Sequence, residues 1–144
     1  MATLSLQRSK ELLEKQGFSV WIVEKWQSYF KKNLKPGEPS GIRVDLFNMA
    51  DLVAIKEGQS GVVAVQACGE DIMPHIAKLL GFDDGETKVE GNKYLPIWLK
   101  TGNPFFLWSW RKRGERGKRK TWQLREIEFL IQDGQVVHRE VPHD

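Results

Sequence analysis

The chain has 144 residues, of which 28% are charged, and its formal net charge is +3. This length is typical of one domain with one hydrophobic core, and the single cysteine excludes an intrachain disulfide bond and a cysteine-based zinc site. Because we find neither a signal peptide nor an apolar run of ~18 residues that could cross a membrane, we expect one cytoplasmic domain over residues 1–144 with no membrane partner.

The first part of the chain predicts a helix, a strand and a surface connection. Residues 3 to 16 place leucines among polar residues and are followed by Gly17, which is typical of the end of a helix. The segment FSVWIVEKW, at 18 to 26, is rich in β-branched and aromatic residues and predicts a strand. The prolines, glycines and lysines of residues 28 to 41 indicate a connection over the surface.

The centre of the chain predicts a hairpin of two buried strands. The segments IRVDLFNM and ADLVAI run over residues 42 to 55, and the turn signal KEGQSG follows at 56 to 61. The apolar segment VVAVQA, at 62 to 67, then provides the second strand.

The second half predicts one helix and two strands. The segment EDIMPHIAKLLGF has apolar residues at helical spacing, Asp71 near its start and Gly81 at its end. PFFLWSW and TWQLREIEFLI predict strands on either side of a basic loop. We assign no role to the three histidines; two of them, His138 and His143, fall in a predicted frayed tail. This order predicts an α/β fold of mixed α+β type, with a central mixed β-sheet flanked by helices.

A block of basic residues follows the PFFLWSW strand. Residues 111 to 120 contain seven basic side chains and one acidic one, and clustered Lys and Arg favour a polyanion more strongly than net charge does. We therefore predict that this block binds DNA, against the alternative of a solvated loop without a partner. The predicted DNA-binding residues are Arg111, Lys112, Arg113, Arg116, Lys118, Arg119 and Lys120, extended by Arg43 and the lysines of residues 31 to 35.

Three tryptophans, Trp108, Trp110 and Trp122, bracket this basic block. They either support a projecting arm from the core or stack on unpaired bases. The block shows no base-reading pattern, so we expect recognition of DNA shape over sequence.

Two polar residues interrupt the apolar strands of the central hairpin. Asp51 opens one strand and Gln66 lies within the other, on the same face as Cys68 because side chains alternate along a strand. A carboxylate facing an amide oxygen is an oxygen donor set for a hard cation, which can activate water and neutralise phosphate charge. The alternative is that both are ordinary polar groups at strand ends.

At these residues the sequence resembles the PD-(D/E)XK nuclease superfamily. MADLVAI stands in the place of its "PD" strand and VVAVQAC in the place of its (D/E)XK strand, which also occurs in a QXK version. The resemblance continues through GFSVWIVEKW, IRVDLFNMADLVAI and the W-x-W-R-K-R region to small phage-type and Holliday-junction-resolvase-like proteins. It implies a restriction-endonuclease-like core, and it covers residues from about 8 to about 130.

The resemblance implies roles for single residues. Asp51 matches the metal-binding aspartate and Gln66 the second metal ligand, with Mg²⁺ or Mn²⁺ as the cofactor. Glu24 is the preferred additional catalytic carboxylate and Asp45 a second candidate. Cys68 stands where the superfamily has a lysine, and a thiol lacks its fixed positive charge, so Cys68 is expected to pack as a small apolar residue. Lys78 and Lys25 are the candidates to supply the missing charge.

Three functions remain open at this point. The first is a metal-dependent endonuclease that acts on branched or structured DNA, as a homodimer if the resemblance holds. The second is a DNA-binding protein of the same fold that does not cleave, which Cys68 favours. The third is a protein-interaction or RNA-binding module that uses only the basic block.

Overall fold

A computed structural model describes residues 4–28, 35–38 and 40–143. Three helices and ten strands form within these residues. In chain order they are α1 (Leu4–Lys15), β1 (Ser19–Ile22), β2 (Lys25–Ser28), β3 (Gly41–Val44), β4 (Leu52–Ile55), β5 (Val63–Cys68), α2 (Met73–Leu80), β6 (Phe82–Asp83), β7 (Lys88–Val89), α3 (Leu95–Lys100), β8 (Phe105–Arg113), β9 (Thr121–Gln132) and β10 (Gln135–Val141).

Six strands form one mixed sheet in the order β1-β4-β5-β8-β9-β10. Strands β5 and β8 run parallel, and the other four neighbouring pairs run antiparallel. The parallel pair requires a crossover between its strands, and this crossover contains α2 and α3. Two small ribbons, β2–β3 and β6–β7, lie outside the sheet. The mixed α/β fold class predicted from the sequence is therefore confirmed.

Both faces of the sheet carry a hydrophobic core. The helices α2 and α3 cover one face, where their apolar residues pack with Ala64, Cys68, Phe105, Leu107, Ile127 and Phe129. Helix α1 covers the other face, where Leu6 and Leu13 pack with Leu52, Ala54, Val63, Val65 and Trp108. Strand β5 is buried because it lies between both layers, which explains its nearly continuous apolar sequence.

Local sequence determines both ends of α2. Pro74 lies in the first turn, where its missing N–H costs no helical hydrogen bond. Gly81 ends the helix at φ 87°, a conformation that favours glycine, and its N–H donates to the Ala77 carbonyl. The residue before the helix is Ile72 and no side chain caps it, so Asp71 lies near the start, as predicted, without acting as a cap.

Four local predictions were wrong. The segment IRVDLFNM is not part of the buried hairpin, because its first residues belong to β3, which pairs with β2 outside the sheet. The expected strand at 18 to 26 is divided into β1 and β2, because the N–H groups of Val23 and Glu24 both donate to the Asp51 carbonyl and interrupt the ladder. The expected frayed tail forms β10, in which His138 pairs with Phe129. Strand β8 continues to Arg113, so the loop after it is shorter than the basic block.

Among the described residues, no helix has the length and apolar character needed to cross a membrane.

Candidate functional site

Asp51 lies at a point where three strands meet. It directly precedes β4; its N–H donates to the Val65 carbonyl of β5 at 2.9 Å, and its own carbonyl accepts from Val23 and Glu24 after β1. These backbone bonds fix the position of the Asp51 side chain relative to β5. Asp51 is therefore held by the sheet, not by a loop.

The Asp51 carboxyl is buried, with 9% of the residue exposed. One carboxyl oxygen, Oδ2, accepts a hydrogen bond from the Ala67 N–H at 2.8 Å. Burial raises the pKa of Asp51 to about 7, and this hydrogen bond opposes the rise. At neutral pH the group is therefore poised between its neutral and charged forms.

Gln66 lies beside Asp51 on the same face of the sheet. Leu52 pairs with Val65 across β4 and β5, and one further step in this register places Asp51 opposite Gln66. Gln66 is 6% exposed, and its Oε1 has no hydrogen-bond partner among the described residues. A buried amide oxygen without a partner is costly, and this one lies next to a carboxyl group.

The two other candidate carboxylates lie near Asp51. The negative charges of Glu24 and Asp45 both contribute, less than burial does, to the raised pKa of about 7 at Asp51. Glu24 also forms an ion pair with Arg43 at 3.1 Å. The structure thus brings all four predicted catalytic residues close together. Arg43, a predicted DNA-binding residue, is paired with one of them, Glu24.

Cys68 does not supply a charge to this site. It is 6% exposed and packs in the core under α2 and α3, which confirms its predicted apolar role. Burial raises the pKa of its thiol to about 11, although a hydrogen bond with the Ser109 side chain opposes the rise. The thiol is therefore neutral at physiological pH.

Lys78 provides a positive charge near the carboxyl group instead. It is exposed on α2, and its charge acts to lower the pKa of Asp51. Lys25, the other candidate, is exposed on β2 and does not contribute to the Asp51 pKa. Of the two candidate replacements for the missing lysine, Lys78 is thus the one whose charge acts on Asp51.

The donor set fits a lightly held Mg²⁺ or Mn²⁺. The described residues contain no group of three or more His, Cys, Asp or Glu side chains arranged to hold a metal ion. Asp51 and the partnerless Gln66 oxygen nonetheless give two hard oxygen donors. Magnesium is commonly held by one or two protein oxygens, with water and substrate phosphate completing its shell.

The basic block projects as a hairpin from the same end of the sheet, and we call residues 111 to 120 the basic arm. Cys68, at the end of β5, pairs with Ser109 of β8. Arg111 follows Ser109 by two residues, so it lies ~7 Å further along the strand. Both predicted strands form, and β8 and β9 stay paired with each other up to Arg113 and Thr121. The remaining basic residues lie exposed in the loop between them.

Two acidic residues compensate part of the basic arm. Arg113 forms an ion pair with Glu70, just after β5, and Lys118 with Glu115 at 2.9 Å. The hydrogen bond and charge of Arg113 lower the pKa of Glu70, and Arg111 and Lys120 add to this effect. The sequence reasoning missed Glu70, because its pairing depends on a contact across 43 residues.

Two of the three bracketing tryptophans are structural. Trp108 and Trp110 are buried, and their Nε1 groups donate to Glu126 and Ser9 respectively. Trp122 is 45% exposed, with the Arg8 guanidinium 3.8 Å from its ring centroid. Of the lysines at 31 to 35, Lys31 and Lys32 lie outside the described residues, whereas Lys35 is exposed.

Comparison with protein-family models, with curated proteins and with solved structures gives no match to this chain.

Proposed function

We propose that the protein is a metal-dependent endonuclease with a restriction-endonuclease-like core that cuts branched or otherwise structured DNA. The observation that carries the proposal is the pair formed by the buried Asp51 carboxyl and the partnerless Gln66 oxygen. This pair lies at the end of the sheet from which the basic arm projects. A cation site and a phosphate-binding surface are thus adjacent.

Asp51 and Gln66 are the residues that would hold Mg²⁺ or Mn²⁺. When bound, such a cation neutralises phosphate charge and lowers the pKa of a coordinated water. Positive charge near the Asp51 carboxyl favours the ionised form that metal binding needs, which supports a role for Lys78. Lys78 can also attract the negative charge that develops on the phosphate. Glu24 and Asp45 add negative potential that attracts a cation.

The basic arm supports binding through phosphates. Four of its seven basic residues lie in the loop beyond Arg113 and are exposed: Arg116, Lys118, Arg119 and Lys120. Contacts to phosphates position a protein on DNA without reading its sequence. This favours a substrate recognised by shape, and a homodimer would present two such sites to a branched molecule. The single buried cysteine is compatible with the cytoplasm as the proposed compartment.

The alternative is a DNA-binding protein of the same fold that does not cleave. Cys68 favours it, because its neutral thiol replaces the lysine of the resembling nucleases. The small donor set around Asp51 also favours it. An RNA-binding or protein-interaction module would need only the basic arm, and would leave the partnerless Gln66 oxygen without a purpose.

The deciding experiment is cleavage of a labelled four-way junction and of its matching linear duplex with Mg²⁺ or Mn²⁺. We expect the native protein to cut the junction. We expect Asp51→Asn to lose cutting while it still binds, because it keeps the basic arm and removes the negative charge that would hold the cation. Asp83→Asn, which changes an exposed aspartate in β6, is the matched control and should cut normally.

Each result separates the alternatives. Equal cutting by native protein and Asp51→Asn contradicts the assigned site. Tight binding by the native protein without cutting under either metal favours the non-cleaving protein. Absence of DNA binding contradicts both functions.

A further inference from the structure

Two exposed aromatic rings stack on each other close to the candidate site. Phe47 and Tyr94 are 46% and 37% exposed, with ring centroids 4.8 Å apart and planes inclined by 27°. We call this pair the aromatic platform. Exposed large apolar side chains are common one at a time, but a stacked pair beside a polar site is a binding surface with a defined shape.

The backbone holds Phe47 outward at a conformational cost. Phe47 and the following Asn48 have φ values of 53° and 56°, in the left-handed region that a bulky residue such as phenylalanine rarely adopts. Leu46 and Ala50 close this turn through two backbone hydrogen bonds, and Met49 within it is fully buried. The buried part of the turn therefore forces the Phe47 ring to the surface.

A second segment locks the platform in place. The Asn92 side chain donates to the Phe47 carbonyl at 2.8 Å, and its Oδ1 accepts from the N–H groups of Tyr94 and Leu95. One asparagine thus joins the turn that carries Phe47 to the segment that carries Tyr94. The platform is preorganised, which reduces the entropy lost when a flat ligand stacks on it.

The platform lies within reach of the proposed cleavage site. Its turn connects Asp45 to Asp51, and Asp51 is four positions after Phe47, so their Cα atoms are at most ~14 Å apart. This distance spans about four base steps of a duplex at 3.4 Å each. The Lys93 ammonium lies 5.1 Å from the Tyr94 ring centroid, so a positive charge adjoins the platform, and the charge of Lys78 acts on Asp51.

We infer that the aromatic platform stacks on an unpaired base of the DNA substrate, next to the phosphodiester presented to Asp51. Stacking on aromatic rings is tolerant of base identity, whereas it requires a base released from its duplex partner. The inference rests on the proposed function and specifies its substrate class as DNA with an unpaired nucleotide near the cut. It also explains how shape is read without base-specific hydrogen bonds.

The test measures binding in the presence of a chelator, so that cleavage does not enter. The DNAs are a continuous duplex and the same duplex with one unpaired nucleotide. We expect the native protein to prefer the second, and Phe47→Gly and Tyr94→Ala each to weaken its binding at least about fivefold while leaving the continuous duplex unaffected. Phe47→Gly should fold well, because glycine adopts positive φ without strain. Phe82→Ala, which removes a 48% exposed ring in β6, is the control and should keep the preference.

The outcomes distinguish this inference from the proposed function. If the native protein shows no preference, or if both platform variants keep it, the platform inference is overturned while DNA binding by the basic arm stands. If the native protein binds neither DNA, the proposed function fails and the platform inference fails with it. Loss of cutting in Asp51→Asn alone bears only on the proposed cleavage.

Discussion

At the scale of single residues, the properties of the site depend on how costly it is to ionise the buried Asp51 carboxyl. Burial, with smaller contributions from the charges of Glu24 and Asp45, raises its pKa to about 7, while the charge of Lys78 acts in the opposite direction. One hydrogen bond from Ala67 opposes the loss of water. The protein thus keeps a carboxyl group where its ionised form is unfavourable, a conflict that is common at functional sites.

This conflict predicts a pH-dependent stability of the metal-free protein. Asp51 has a raised pKa in the folded protein and an ordinary one near ~3.9 in the unfolded chain, so the folded state binds more protons between these two values. Stability therefore falls as pH rises from about 4 to about 7, by up to roughly 4 kcal/mol. We expect Asp51→Asn to unfold at a higher temperature than the native protein at pH 8, in a chelator, because it carries no buried charge.

The advantage of Asp51→Asn should disappear as the pH falls to about 3, because Asp51 is then mostly neutral in both the folded and the unfolded state. Thermal unfolding of both proteins across this range checks the prediction, with Asp83→Asn as the exposed control. A stability difference that is constant with pH would contradict a raised Asp51 pKa.

A second prediction concerns the source of positive charge. If Lys78 replaces the lysine that Cys68 cannot provide, Lys78→Met should lower the single-turnover cleavage rate about tenfold or more. Its pH profile should also move to higher pH, because Lys78 lowers the pKa of Asp51. Lys25→Met is the matched control. A larger loss of cleavage rate in Lys25→Met than in Lys78→Met would contradict the assignment of this role to Lys78.

At the scale of elements, the sequence predicted those whose pattern is local. The hairpin of β4 and β5 follows from apolar strands around a turn signal, and α2 follows from its helical spacing and Gly81. Strand β10 was missed because QVVHREV alternates weakly, and part of its contact with β9 is made by ion pairs between distant residues, Arg139 with Glu128 and Arg125 with Glu140. Helix α3 is one short turn around a proline, and its periodicity was too brief to recognise.

The same distinction applies to the site. Asp51 and Gln66 could be paired from the sequence, because strand alternation and the hairpin determine their faces. The choice of Lys78 over Lys25 depends on how α2 packs on the sheet, and the contact between Phe47 and Tyr94 depends on two distant segments meeting. Neither arrangement has a local sequence signal.

The basic arm gives a prediction at this scale. Replacing Lys118, Arg119 and Lys120 by alanine should weaken DNA binding and reduce the slope of log K against log salt by up to about three. The reduction should fall short of three if Lys118 keeps its ion pair with Glu115. Replacing the exposed Lys15, Lys88 and Lys100 instead is the charge-matched control. An equal change of slope in both triple variants would contradict the prediction that the basic arm provides the phosphate contacts.

At the scale of the whole molecule, the sheet leaves apolar side chains uncovered near β1. Trp21 and Ile55 lie on the same face and are 73% and 56% exposed. This patch and the free edge of β1 are where we expect the homodimer to form, if one forms. Sedimentation should then show a dimer for the native protein and a monomer for Trp21→Glu. Leu4→Glu, at a 69% exposed position on α1, is the control, and equal masses throughout would contradict the prediction.

The one parallel strand pair also determines the order in which the molecule assembles. The antiparallel pairs β4–β5, β8–β9 and β9–β10 join neighbouring segments, whereas Gln66 meets Leu107 only after a loop of about 40 residues has closed. Closing a long loop before its contacts form is slow. We therefore expect the β4–β5 hairpin and the β8–β9–β10 meander to form early and the seam between them late. Gln66 and the first residues of the basic arm lie along this seam, so the candidate site is assembled only in the fully folded protein. Partly folded chains would contain paired strands but would lack the complete site.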